Sequence, residues 1–373
     1  MAMFFFRHNS VNAYVETDVV EGRLSDPTQR TIAYYLEHSG VTALNELLWK
    51  QFYIALRSKQ LDSLRGIEGR FTLALDGVSL AYSTRRHCSK CLVTHHDNGS
   101  IQYHHALLVA SIVDTVRNIS IVVAVIPIEN TVPEALKQDC EMSASKALLW
   151  HIKHLAPQMK FNISVDGLYL SAEFVTKAKK QGHEITMPLA RENMIIFDVL
   201  EKDFKKRAII RREDRDSETT IQYGPEDVAP FWGALHKSNP SIQLYGLKRT
   251  TVIKRTGEIR ECVIVSTLKP TDDKRAVAIS DLQRERWQQE NNTFNVFKNL
   301  HNLKHIFNHK ASTQVFQFAA LAINMRNIYL LRHPPQKQIK KPLTIATLLK
   351  LIRTLCKCPI DIFEVTPAAS AGD

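Results

Sequence analysis

Between Phe71 and Leu189 the sequence switches between two hydrophobic periods, and the order of the switches narrows the fold more than any other feature. Phe71 to Gly77 is a short β-type run closed by Asp-Gly. A second run, near Ile101 to Val113, ends at Asp114, and a third, Ile119 to Ile128, is almost wholly β-branched or apolar. Short linkers join the three, which predicts an antiparallel meander. Thr131 to Leu155 then reads as a helix, with Leu136, Cys140, Ala144, Ala147 and Leu148 along one face. Phe161 to Gly167 repeats the strand-then-Asp-Gly pattern and leads into a helix from Ser171 to Gln181, which Gly182 ends. His183 to Leu189 makes a fifth strand. The order is β-β-β-α-β-α-β, with the later strands joined by helical crossovers as parallel neighbours.

The flanks differ in pattern. Residues 1–66 read as a helical part, with helices at Thr31 to His38 and Val41 to Ala55 separated by Gly40. Residues 67–190 hold the strand-and-helix order above. Residues 191–279 read as a β-rich insertion, with a charged stretch from Lys202 to Asp216. Its β-ribbon runs from Thr250 to Ile253, through a Thr256-Gly257 turn, to Ile259–Leu268. Residues 280–332 are helical and complete the core. Pro334-Pro335 opens the last part, 333–373, with a helix from Leu343 to Cys356 and a tail of small residues expected to be disordered.

Composition limits the partners. The chain has 373 residues, 44% of them hydrophobic, enough for a packed core. The formal charge of +11 suits a polyanion, either nucleic acid or an acidic membrane surface. No apolar run is long enough to span a bilayer, and Met1 to His8 is too short for a signal peptide. Six cysteines in a chain this long do not make a disulfide scaffold, so reduced thiols in a cytoplasm are expected.

Three acids can meet in such an order. Asp76 ends the first strand and Asp166 the fourth, and these strands are expected to be neighbours. Glu290 lies on a helix running from Arg284 to Lys298, four residues after Arg286. Taken alone, each Asp-Gly is a plain turn, and Arg286 with Glu290 is a surface ion pair. Taken together, three hard oxygen ligands suit Mg²⁺ or Mn²⁺, and two such ions can support phosphodiester cleavage.

The element order is that of a ribonuclease-H-like mixed α/β fold. The chain resembles DDE transposases of bacterial insertion sequences, in the group with a Tyr-Arg-Glu-Lys signature after a β-rich insertion. The resemblance rests on Leu75-Asp76-Gly77, His87 to Leu92, Lys137-Gln138-Asp139-Cys140-Glu141, Ile163 to Tyr169, and Arg286-Trp287 through Glu290-Asn291 to Lys298. It implies Asp76, Asp166 and Glu290 as catalytic, metal-binding acids and Arg286 as a contact to the phosphates of the element end. It also implies nicking followed by attack of a 3′-hydroxyl on target DNA, carried out by a homodimer. Two signature positions differ. Gln283 stands where the tyrosine would fall and Phe297 where the lysine would. Lys298 comes one residue late, about 100° round an α-helix. The alternative is a decayed, DNA-binding relic of such an enzyme.

Other groups carry alternatives. Cys88-x-x-Cys91 has metal-knuckle spacing, and Cys140 with His105 or His104 could complete a zinc site; two buried thiols are the plainer reading. Lys179, Lys180, Arg211 and Arg212 could line DNA or form a solvated face. Trp287 could stack on a distorted base or belong to the core.

Overall fold

Strand β1, Phe71–Ser83, organises the molecule because it is paired on both edges at Thr72–Ala74 and on one edge from Leu75 onward. The computed structural model describes residues 29–85, 87–129, 141–169, 171–189, 195–204, 209–300 and 309–332. Before β1 come α1, Gln29–His38, and α2, Val41–Arg57. After it come β2, Leu92–His95, β3, Ile101–Asp114, and β4, Ile119–Ile128. Then follow α3, Glu141–Leu155, β5, Phe161–Ser164, α4, Ala172–Lys180, and β6, Glu184–Pro188. The expected helix from Thr131 is described only from Glu141 onward; its earlier part lies outside the described residues.

Beyond β6 the chain forms α5, Ile195–Phe204, β7, Ile210–Glu213, β8, Ser217–Tyr223, and the short α6, Gly233–Ser238. The ribbon follows as β9, Tyr245–Ile253, and β10, Ile259–Ser266. Helix α7, Asp273–Gln289, starts earlier than Ser280, because the Asp272 side chain accepts the Arg275 N–H and caps the first turn. A π-helical turn, Glu290–Phe294, joins α7 to α8, Asn295–Leu300, and α9 spans Ser312–Arg332. The expected helix at Leu343–Cys356 and the final tail lie outside the described residues.

Ten strands form one mixed sheet in the order β2-β3-β1-β5-β6-β10-β9-β8-β7, with β4 also on β3. Only β1–β5 and β5–β6 are parallel among the described pairs. The strands of the 191–279 region therefore extend the sheet from β6 rather than forming a separate layer.

Two sequence expectations need correction. The first strand does not end at Asp76-Gly77, since the antiparallel ladder to β3 continues through Asp76↔Val109 and Gly77↔Leu108 to Ser83↔Tyr103. A pair of residues held in a ladder cannot also be a turn. The second correction is β2, which pairs Leu92–His95 with Ile101–His104 through a turn where Gly99 has φ 78°. Its Leu-Val-Thr-His sequence is too short and polar to stand out as a strand.

Alternation along β1 splits its side chains between two cores. Leu73 and Leu75 enter the cluster with Phe161, Leu148 and Phe174. Val78 and Leu80 enter the other, with Phe297, Val315 and Phe316. The edge strand β4 is closed by buried amides rather than by another strand. Asn45 exchanges two hydrogen bonds with the Val125 backbone, both 2.9 Å. Asn324 does the same at Val122, at 2.8 and 2.7 Å. Side chains thus satisfy edge groups that would otherwise invite a foreign strand.

Candidate active site

The site forms where β1 outruns β5. Their parallel pairing stops at Ala74↔Ser164, so β1 from Leu75 onward has an open edge, and the chain after β5 turns away at Val165-Asp166. Asp76 and Asp166 both stand at this opening. Each uses one carboxylate oxygen in the same way: Gly77 N–H donates to Asp76 Oδ1 at 3.0 Å, and Gly167 N–H donates to Asp166 Oδ1 at 2.7 Å. The matching Asp-Gly pairs therefore fix the rotamers of the two acids. At Asp76 the pair serves positioning inside a strand; at Asp166 it also opens a 3-10 turn, with Tyr169 N–H donating to Asp166 O at 3.0 Å.

A third carboxylate arrives from α3. An added Cβ on Gly77 would lie 2.0 Å from Glu141 Oε1, so a larger residue there would displace this carboxylate. The Tyr169 hydroxyl donates to Glu141 Oε2 at 3.2 Å. Glu141 lies within the Lys137–Glu141 motif, but nothing in the sequence gave it a role. The signal was an acid at a helix start facing a strand glycine, which only the fold brings together.

Arg286 of α7 closes the group. Its Nη1 donates to Asp76 Oδ2 at 2.6 Å, with side chains 15% and 19% exposed. Gln289 donates to the Val109 carbonyl at 2.8 Å, and Val109 is the residue paired with Asp76. The end of α7 is thus laid across the strand pair that carries Asp76.

Electrostatics follow from burial and like charge. Burial pushes Asp76 up to about 6, Arg286 pulls against it, and Glu141 and Asp166 add to it. Glu141 is also raised, first by burial, with Tyr169 and Arg286 opposing and Asp166 reinforcing. The like charge around Asp76 and Glu141 makes a site that favours added positive charge.

Glu290 is exposed, at the first residue of the π turn and one turn beyond Arg286. No hydrogen bond links it to Asp76 or Asp166 among the described residues. Ligand atoms of Asp76, Asp166 and Glu290 do not gather within 4.8 Å of one another as a group. Gln283 has a structural partner: it is buried and accepts from the Arg249 guanidinium, which also donates to Ser280 O at 2.9 Å.

The π turn changes the reading of Lys298. A π turn closes its hydrogen bonds one residue later than an α turn and so absorbs one extra residue. Lys298 therefore takes, relative to Glu290, the rotational place that residue 297 holds in an unbroken helix. Phe297 is freed for the core, where its ring meets Phe316 edge-on at 4.4 Å. The expected 100° mismatch is removed by the backbone itself.

The remaining candidates are dispersed. Trp287 is 53% exposed. Lys179 donates to both oxygens of Glu184 at 2.7 Å, and Arg212 donates to Asp281 at 2.8 and 3.1 Å. Lys180 and Arg211 are exposed. Cys88, Cys91 and His105 come together, joined by His309; Cys140 lies outside the described residues. No described helix is long and apolar enough to cross a membrane.

No protein-family model and no curated protein matches this chain. Among solved structures it is similar to a piggyBac transposase, in a cryo-EM synaptic complex with hairpin DNA, at 11% identity and a TM-score of 0.37. The similarity covers 78% of this chain and 58% of that one, so the chain spans less than two thirds of that neighbour's length.

Proposed function

We propose that this chain is a DNA-cutting and strand-joining enzyme of the DDE transposase type, built on a ribonuclease-H-like core. The observation that carries the reading is the pair Asp76, on β1, and Asp166, just past the end of its parallel neighbour β5, each locked by the N–H of its own following glycine. The order β4-β3-β1-β5-β6, with three antiparallel strands followed by two parallel ones, supports the core assignment.

Asp76 and Asp166 are the proposed metal-binding acids, with Glu290 as the third. The donor chemistry fits Mg²⁺ or Mn²⁺, since these ions take carboxylate oxygens and the burial and mutual repulsion at Asp76 favour a cation. When bound, such ions would activate water and stabilise the leaving oxygen in phosphodiester cleavage. Glu141 adds negative charge to the same opening and is held by Tyr169. Arg286 orients Asp76 and works against the burial that favours its protonated form. One Arg286 N–H is committed to Asp76, and the other guanidinium N–H groups would serve a backbone phosphate. Trp287 and Lys298 would extend the DNA contact along the same helix.

The test uses supercoiled plasmid carrying the gene with its flanking DNA. Purified chain should convert it to nicked and linear forms with Mg²⁺ or Mn²⁺ and not with chelator. Salt-sensitive binding without cutting would instead identify the decayed relic.

A further inference from the structure

We propose that Cys88, Cys91, His105 and His309 hold a structural Zn²⁺ ion, which bolts the β2–β3 hairpin to the segment leading into α9. The four residues come from three separate places in the chain. Cys88 and Cys91 precede β2, His105 lies on β3, and His309 stands just before α9. Among the described residues they form the one group of three or more His, Cys, Asp or Glu side chains whose ligand atoms all lie within 4.8 Å of one another.

The distances fit a tetrahedron. Zinc with sulfur at about 2.3 Å and nitrogen at about 2.0–2.1 Å sets sulfur–sulfur edges near 3.8 Å and sulfur–nitrogen edges near 3.5 Å. The two sulfurs are 3.8 Å apart, and His105 Nε2 lies 3.5 and 3.6 Å from Cys88 and Cys91. His309 Nε2 is 3.0 Å from Cys91 Sγ, a closer approach that would open as the ligands spread around an ion. The two imidazole rings are 4.5 Å apart at 71°, so they approach from different directions.

The backbone is also shaped for it. Cys91 N–H donates to Cys88 O at 3.1 Å, closing a tight turn, and Cys88 N–H points to Cys91 Sγ at 3.4 Å. A disulfide would require sulfurs at about 2.0 Å. Two cysteines and two histidines complete four-fold coordination without water, which marks a structural rather than a catalytic ion. Its position matters for the neighbouring chemistry. Ala311, Val315 and Phe316 beyond His309 pack with Phe297 and with Val78 of β1. The bolt therefore holds α9, and through it the π turn, against the strand that carries Asp76.

The test is metal content of the full chain, tag removed and purified without added metal. One zinc per chain is expected. Protein grown in cobalt should show the visible absorption of a tetrahedral thiolate–imidazole site, His309→Cys should keep the ion, and His309→Ala should lose it to a chelator that the natural chain resists. Sub-stoichiometric zinc with no tetrahedral cobalt spectrum would overturn the proposal. So would a His309→Ala chain that keeps its ion, or a chain two mass units lighter that carries a Cys88–Cys91 disulfide. The metal content and cobalt spectrum of the unmutated chain decide the matter even where a variant fails to fold.

Discussion

Arg286 and Asp76, 210 residues apart in sequence, meet at 2.6 Å in the gap where β1 continues past β5. The pair is largely removed from water, so losing one partner strands the other's charge. Arg286→Ala should cost about 2–3 kcal/mol in urea denaturation. The same change made with Asp76→Asn should cost less than about 1 kcal/mol, giving a coupling of about 1–2 kcal/mol. Additive costs would show that the contact carries no energy.

Glu285, the residue before Arg286, gives a pH prediction. Burial pushes its carboxyl up to about 7, with the Thr72 hydroxyl opposing and Asp114 and Asp281 reinforcing. One of its oxygens is buried without a partner among the described residues. A raised carboxyl favours the protonated form in the folded state. Its stabilising contribution is therefore complete below about 4.5, the ordinary value, and is lost as pH rises through about 7. Glu285→Gln should match the natural chain near pH 4.5 and exceed its stability at pH 8, by at most roughly 3 kcal/mol. A gap that narrows with rising pH would have the wrong sign.

Asn324 tests how the edge of the sheet is closed. It satisfies both backbone groups of Val122, and Asn327 adds a bond to Ser120 O at 2.6 Å. Asn324→Ala leaves a buried N–H and a buried C=O unpaired. The expected loss is about 2–4 kcal/mol, with hydrogen exchange in β4 rising first. Unchanged exchange at Val122 would mean that the amide is not what protects the strand.

Lys298 tests the π turn. With the turn in place its side chain shares the rotational position of the signature lysine, and Lys298→Ala should weaken binding to duplex DNA while lowering the salt slope by about 1. Deleting Asn292, which removes the extra residue, should move Lys298 out of phase and weaken binding comparably. Binding that ignores both changes would detach this lysine from the DNA face.

Much of the framework was legible because it rests on local pattern. The strands at Ile101 and Ile119, the helices at Val41 and Ser171, and the ribbon around Thr256-Gly257 all carry a strong period or a strong breaker. Asp76-Gly77 misled as a turn because the same dipeptide serves a strand whose glycine faces the Glu141 carboxylate, and that contact comes from a helix some 64 residues later. His309 was invisible as a partner of Cys88 and Cys91 since no spacing rule spans the 218 residues from Cys91. The π turn escaped notice for a related reason. It accompanies the burial of Phe297 against Phe316, a tertiary contact that no local pattern signals.

Asp76 and Asp166 are the proposed acids of a metal-dependent DNA-cutting site. The most direct measurement is the Mn²⁺-dependent nicking rate of Asp166→Asn beside the natural chain, with equal folding checked by thermal melting. A fall of at least about a hundredfold, equivalent to about 2.7 kcal/mol of transition-state stabilisation, is predicted. Nicking by the Asp166→Asn chain within about threefold of the natural rate would contradict the account.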